Sequence, residues 1–163
     1  MFTAGWVDDE HLLALGRVVV AATWLETIVD HLARWLVDDG PLYYETVAGL
    51  PAAKMCDLAV RLAKRVVDDE QAVEDLEAWT KKVRGVQEER NRLLHAEHLG
   101  SEDGHADRAL IISVRGKRRT PPIEISASVA DLLDLAARID ALSEAAMELQ
   151  GRLVAGYRGR GHR

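Results

Sequence analysis

The chain has 163 residues, 48% of them hydrophobic and 29% charged, with a formal net charge of −6. That apolar share excludes general disorder, and the acidic balance excludes coating duplex DNA through bulk positive charge, though not a local basic site. One cysteine, Cys56, excludes an intrachain disulfide framework and a cysteine-based zinc finger, and fits a reducing cytoplasm.

Aromatic residues are scarce at 5%, and Ala, Leu and Val are prominent, which suits helices better than a β-sandwich. Asp8-Asp9-Glu10 supplies the acidic first turn of a helix. Apolar positions Leu12, Leu15, Val19, Ala22, Ile28, Leu32 and Leu36 then predict a helix over 9–38, with a bend near Gly16. Asp38-Asp39-Gly40-Pro41 ends it. The longest apolar stretch, residues 18–25, lies between Arg17 and Glu26 and falls short of the roughly 20 residues of a membrane span. No basic region precedes it as in a signal peptide. A cytoplasmic protein with no membrane segment is therefore expected.

A connector over 41–51 carries Tyr43 and Tyr44. A second helix is predicted over 52–67, with Met55, Leu58, Ala59, Leu62 and Val66 on one face, and a third over 70–98, started by Asp68-Asp69-Glu70. Residues 100–104 read as a loop. Alternation over 109–114, a Gly116-Lys117 turn and alternation over 123–125 predict a short β-hairpin, kept near an edge by Pro121 and Pro122. Ser128 with Asp131 forms a capping-box pattern before a fourth helix over 129–155. The expectation is a mainly α fold: an antiparallel bundle of about four long helices with a short β-hairpin between helices 3 and 4. Residues 1–155 form a single helical domain and 156–163 a basic flexible tail.

The most informative stretch is 88–98, Glu-Glu-Arg-Asn-Arg-Leu-Leu-His-Ala-Glu-His. At about 100° per residue, Val83, Val86, Leu93 and Leu94 form an apolar stripe, and Arg90 and Glu97 fall within it. A charge there needs a partner, because an unpaired buried charge is costly. Glu26, which also interrupts an apolar run, is the candidate structural partner of Arg90. Glu88, Asn91, His95 and His98 form a second, polar stripe, on which Asn91 and His95 are an i,i+4 pair. Histidine titrates near neutral pH and suits proton transfer, and arginine can hold a phosphate through its planar fork of donors.

Arg90-Asn91-x-x-x-His95 resembles the Arg-x4–6-His motif of HEPN domains, which often carry a polar Asn directly after the Arg. The layout is similar too: long antiparallel helices, an early Leu25-Glu26 on the first helix, and the motif toward the end of the third. The resemblance implies a small helical homodimer. It further implies a metal-independent endoribonuclease, of the toxin, defence or RNA-processing kind, whose Arg90, Asn91 and His95 meet RNA at a cleft between two subunits. HEPN proteins without nuclease activity also exist. On an ideal helix Arg90 and His95 diverge by about 140°, so a long side chain, a local distortion or the second subunit has to close the gap.

Other readings stand beside this one. Arg90 alone can be a buried structural ion pair, and His95 a helix-end histidine favoured by the C-terminal dipole. His95, His98 and His105, with Glu97 or Asp103, contain a His-x-x-His spacing, but no second ligand pair follows, so no metal and no cofactor is expected. Arg92, His98 and the hairpin-tip residues Arg115, Lys117, Arg118 and Arg119 are candidate RNA contacts, as are Arg152, Arg158, Arg160 and Arg163 near the C-terminus. A solvated edge and tail explain these basic clusters equally well. Tyr43, Tyr44 and Tyr157 can stack on bases or plug a core. Trp24, Trp35 and Trp79 suit helix packing, and Cys56 an inert helical site. Phosphate-binding glycine loops, nucleophile elbows and His-Glu-x-x-His are absent from the sequence. The expected partners are a second copy, an RNA substrate and an antitoxin or regulatory protein. The alternative function is a non-catalytic dimerisation or interaction module.

Overall fold

The computed structural model describes residues 9–37, 49–99, 109–113 and 123–157. Among them are four helices: α1 (Asp9–Val37), α2 (Ala52–Val66), α3 (Glu70–Leu94) and α4 (Val129–Ala155). The fold is mainly α, a helical bundle. Asp9 and Glu10 occupy the first turn of α1 and Arg34 its last, each complementing the helix dipole. Pro51 starts α2 with φ −56°, and its carbonyl accepts the backbone N–H groups of Lys54 and Met55. Asp69 starts α3: its carboxylate accepts the Ala72 N–H at 3.0 Å and its carbonyl the Val73 N–H at 3.1 Å. At α4 the capping box forms as the sequence predicts. Ser128 Oγ accepts the Asp131 N–H at 3.1 Å, while Asp131 Oδ2 accepts the Ser128 N–H at 2.8 Å and its hydroxyl at 2.7 Å.

The chain gathers into two compact units. The first comprises Met1–Ala22 with Val86–Ile139, and its core includes Val18, Ala22, Leu93, Leu132, Leu135 and Ile139. Within it Arg138 on α4 donates to Glu89 on α3 at 2.7 Å and to Asp134 at 3.0 Å. The second comprises Thr23–Gly85 with Asp140–Arg163. Its core includes Leu25, Leu36, Cys56, Ala63, Leu76, Val83 and Leu153. Here α2 and α3 run antiparallel, since Lys64 pairs with Glu77 and Asp57 with Arg84. The second unit's parts of α3 and α4 are antiparallel as well. Asp75 holds Arg152 at 2.6 Å, and the Trp79 indole N–H donates to the Leu142 carbonyl at 2.9 Å. The Asp68 N–H donates to the Gly156 carbonyl at 2.8 Å, Val67 bridges Tyr157, and the Tyr157 ring lies 5.1 Å from that of Trp35.

Three expectations change. First, α1 buries Ala14, Val18, Leu25, Val29, Leu32 and Leu36, while Leu12 and Val19, expected on the core stripe, are 52% and 37% exposed. This helix is apolar on nearly every side, so spacing alone offers two equivalent faces. Second, an 18-residue window of α1 reaches a mean hydropathy of 1.7. It is long and apolar enough to cross a membrane by length and composition, although its longest apolar stretch is short. Its few charges are spaced widely enough to leave the average high, and 33% of the window is buried inside the protein.

Third, α3 stops at Leu94 rather than at 98. Residues Ala96–Leu99 (β1) are extended, followed by Ala109–Ser113 (β2) and Ile123–Ala127 (β3), in the order β1-β2-β3 with antiparallel register. Glu97 faces Ile112 and Ile111 faces Ile125. The simple two-armed hairpin is thus not what the backbone shows. Among the described residues the extended segments number three, and the first takes residues assigned to the third helix. The expected hairpin tip, the 100–104 loop, the Tyr43–Tyr44 connector and residues 158–163 lie outside the described residues.

Candidate functional site

The last turn of α3 carries the residues of interest. Arg90 is half-buried at the edge of the stripe formed by Val83, Val86 and Leu93, all of them buried. Its Nη1 donates to Asn91 Oδ1 at 2.9 Å. Asn91 and Arg92 are exposed. His95 lies one residue past the helix end, in a turn, and is exposed. Its backbone N–H donates to the Asn91 carbonyl at 3.1 Å, so the helical spiral carries one residue further and keeps the two one turn apart.

This arrangement divides the chemistry. Arg90 uses the side-chain Oδ1 of Asn91, which leaves the Asn91 side-chain N–H groups as donors toward a phosphate oxygen or an unprotonated imidazole nitrogen. Glu89 is engaged elsewhere, with Arg138. That carboxylate holds the Arg138 guanidinium above its ordinary proton affinity, outweighing partial burial, and the ion pair ties this end of α3 to α4.

The polar stripe is shorter than the sequence suggests. Glu88, Asn91 and His95 follow one helical spiral, whereas His98 belongs to β1 and has left it. Glu97 sits in β1 as well, so it is not on the α3 stripe with Arg90. Glu26 is half-buried on α1. Arg115, Lys117, Arg118 and Arg119 lie outside the described residues, as do Asp103 and His105. Among the described residues, no group of three or more His, Cys, Asp or Glu side chains is placed to hold a metal ion.

A second feature went unnoticed in the sequence. A cleft of about 500 Å³ is lined by residues of α2 and α3, among them Lys54, Arg61, Lys81 and Arg84. The signal was present: α2 carries Lys54, Arg61, Lys64 and Arg65 against the single carboxylate of Asp57, in a chain whose net charge is negative.

No protein family, no curated protein and no solved structure matches this chain.

Proposed function

We propose that the protein is a HEPN-like, metal-independent endoribonuclease acting as a homodimer on single-stranded or loop RNA. The observation that carries this reading is at the end of α3: Arg90 is bonded to Asn91, and His95 is exposed one helical turn after Asn91. The ribose 2′-OH attacks the adjacent phosphorus, and the bond to the 5′ oxygen of the next nucleotide breaks. His95 takes the 2′-OH proton as general base or protonates the leaving oxygen as general acid. In a dimer, the second copy's histidine is available for the other role. Arg90 offsets the charge that builds on the phosphorane, and Asn91 donates to a phosphate oxygen or to the imidazole. The products are a 2′,3′-cyclic phosphate and a 5′-hydroxyl.

Arg92, His98 and the basic tip of the predicted hairpin (Arg115, Lys117, Arg118 and Arg119) belong to this proposal as RNA backbone contacts. A toxin or defence role, an antitoxin or regulatory partner and a cytoplasmic location belong to it too. The test is cleavage of RNA by the wild type and by His95→Ala, both with EDTA. The expected result is cutting by the wild type alone, leaving cyclic-phosphate ends. Activity abolished by EDTA and restored by manganese or zinc would sink the metal-free mechanism.

One observation favours a second reading, a non-catalytic interaction module. Leu13, Val20 and Trp24 on α1 are 66%, 71% and 57% exposed, an apolar face suited to a protein partner. A folded His95→Ala protein that cuts RNA at the wild-type rate would leave this reading standing.

A further inference from the structure

We infer that the cleft between α2 and α3 is a binding site for phosphate-ester anions, and that its ligand is a run of RNA backbone phosphates. The choice of RNA rests on the nuclease reading; the anion site does not. Lys54, Arg61, Lys81 and Arg84 line the cleft with two carboxylates, Asp57 and Glu77. Both carboxylates are engaged. Asp57 accepts from Arg84 at 2.5 Å, and Glu77 pairs with Lys64, a fifth cation beside the cleft. The Lys64 ammonium holds the Glu77 carboxyl below its ordinary range, so Glu77 stays ionised and paired. Cations outnumber carboxylates here, in a chain of net charge −6. Arg84 is itself a lining residue of the cleft, held in place by its pair with Asp57.

Geometry selects the ligand. Lys54 and Arg61 are seven residues apart on α2, about 10.5 Å along the helix. Lys81 and Arg84 stand three apart on α3, facing the same space. Charges spread along a cleft match successive phosphates of a strand better than one compact anion. A volume of about 500 Å³ lies within the ordinary range for small-molecule sites and leaves room for a nucleotide or two. The charged groups sit on a lining that is more apolar than polar, with Val60 as one wall, and the Thr80 hydroxyl donates to the Glu77 carbonyl. That chemistry reads charge rather than base identity, so binding is sequence-tolerant and salt-sensitive.

The test uses the full chain carrying His95→Ala, so that RNA stays intact during titration. The probes are a labelled oligouridylate and inorganic pyrophosphate. Arg61→Gln with Lys81→Gln removes two exposed cations and leaves the Arg84–Asp57 pair in place. The double variant is expected to melt at the parent's temperature and to bind the oligouridylate roughly tenfold more weakly at low salt. The slope of log affinity against log salt is expected to fall by about 1.4, at about 0.7 per lost phosphate contact. Pyrophosphate is expected to compete only weakly. An unchanged affinity and slope would overturn the site. Tight pyrophosphate binding that excludes RNA, and that the variant loses, would overturn RNA as the ligand. RNA binding that the variant loses, by a chain whose wild-type form never cuts RNA, keeps the cleft and removes the nuclease.

Discussion

Arg90 and His95 stand in unlike surroundings, and their variants should fail differently. Arg90 is half-buried and holds Asn91. The bond to Asn91 is exposed and joins neighbours, so with the half-buried stem its loss costs about 0.5–1.5 kcal/mol, and Arg90→Ala should lower stability as well as activity. His95 is exposed, and Ala there should stay within about 0.5 kcal/mol of wild type. Urea melts and cleavage rates on the same preparations check both. Equal destabilisation by the two would contradict the placement of Arg90. Cys56 offers a separate check. Burial pushes its thiol up to about 11, against a smaller downward pull from Arg84 and with a further upward push from Asp57. Because the folded value is raised, any stability this gives is present below the unfolded thiol's pKa and lost as pH climbs toward 11. At pH 8 the native thiol should therefore alkylate on the order of a hundredfold more slowly than in urea. Equal rates would mean that the site is open.

At the scale of elements, starts were easier to read than stops. Ser128 and Asp131, and Asp69 at α3, announce helix starts through short-range bonds that the sequence spells out. Ser128→Ala should cost about 1 kcal/mol, read from a urea melt. The end of α3 left no such mark. His95-Ala96-Glu97-His98 contains neither Gly nor Pro, so local propensity lets the helix run on, and its extended register is set by residues 110–113 far along the chain. The sequence singled out Arg90, Asn91 and His95 but offered Glu26 as the partner of Arg90 and not the Asn91 side chain, whereas the α2–α3 cleft needed two separate helices brought together. Gly156 makes a similar point, since its need is visible only in three dimensions. A Cβ there would lie 2.8 Å from Asp69 Cβ, so Gly156→Ala should destabilise by about 1–3 kcal/mol. The Arg152 guanidinium holds the Asp75 carboxyl below its ordinary value near 3.8, chiefly through their hydrogen bond, with Gln71 adding a second. A lowered value means that this pairing helps above pH 3.8 and fades as pH falls below it. In Arg152→Ala, NMR titration should find Asp75 moved back toward 3.8.

For the whole molecule, the exposed face of α1 and the net charge of −6 act on association in opposite senses. Leu13, Val20 and Trp24 follow one face of α1, whereas Val18 and Leu25, on the other, are wholly buried. One side of this helix packs into the protein's own core, and a second copy can cover the remaining face. If two α1 helices cross antiparallel at Val20, Trp24 of one lies over Gly16 of the other, and a Cβ at Gly16 would meet nothing within 4 Å. Light scattering at tens of micromolar should therefore give twice the chain mass of 18.0 kDa, and Val20→Glu should give the monomer. A wild-type monomer would remove this face as the dimer contact. Salt then separates the two kinds of association. Two chains of net charge −6 repel each other, so added salt screens that repulsion and tightens an apolar dimer. RNA held by the α2–α3 cleft responds the other way, because salt competes with every phosphate contact. Raising salt from 50 to 500 mM should strengthen the dimer and weaken RNA binding in the same sample. A dimer that dissociates as salt rises would have to be held by ion pairs, and the apolar face of α1 would not be what joins the copies.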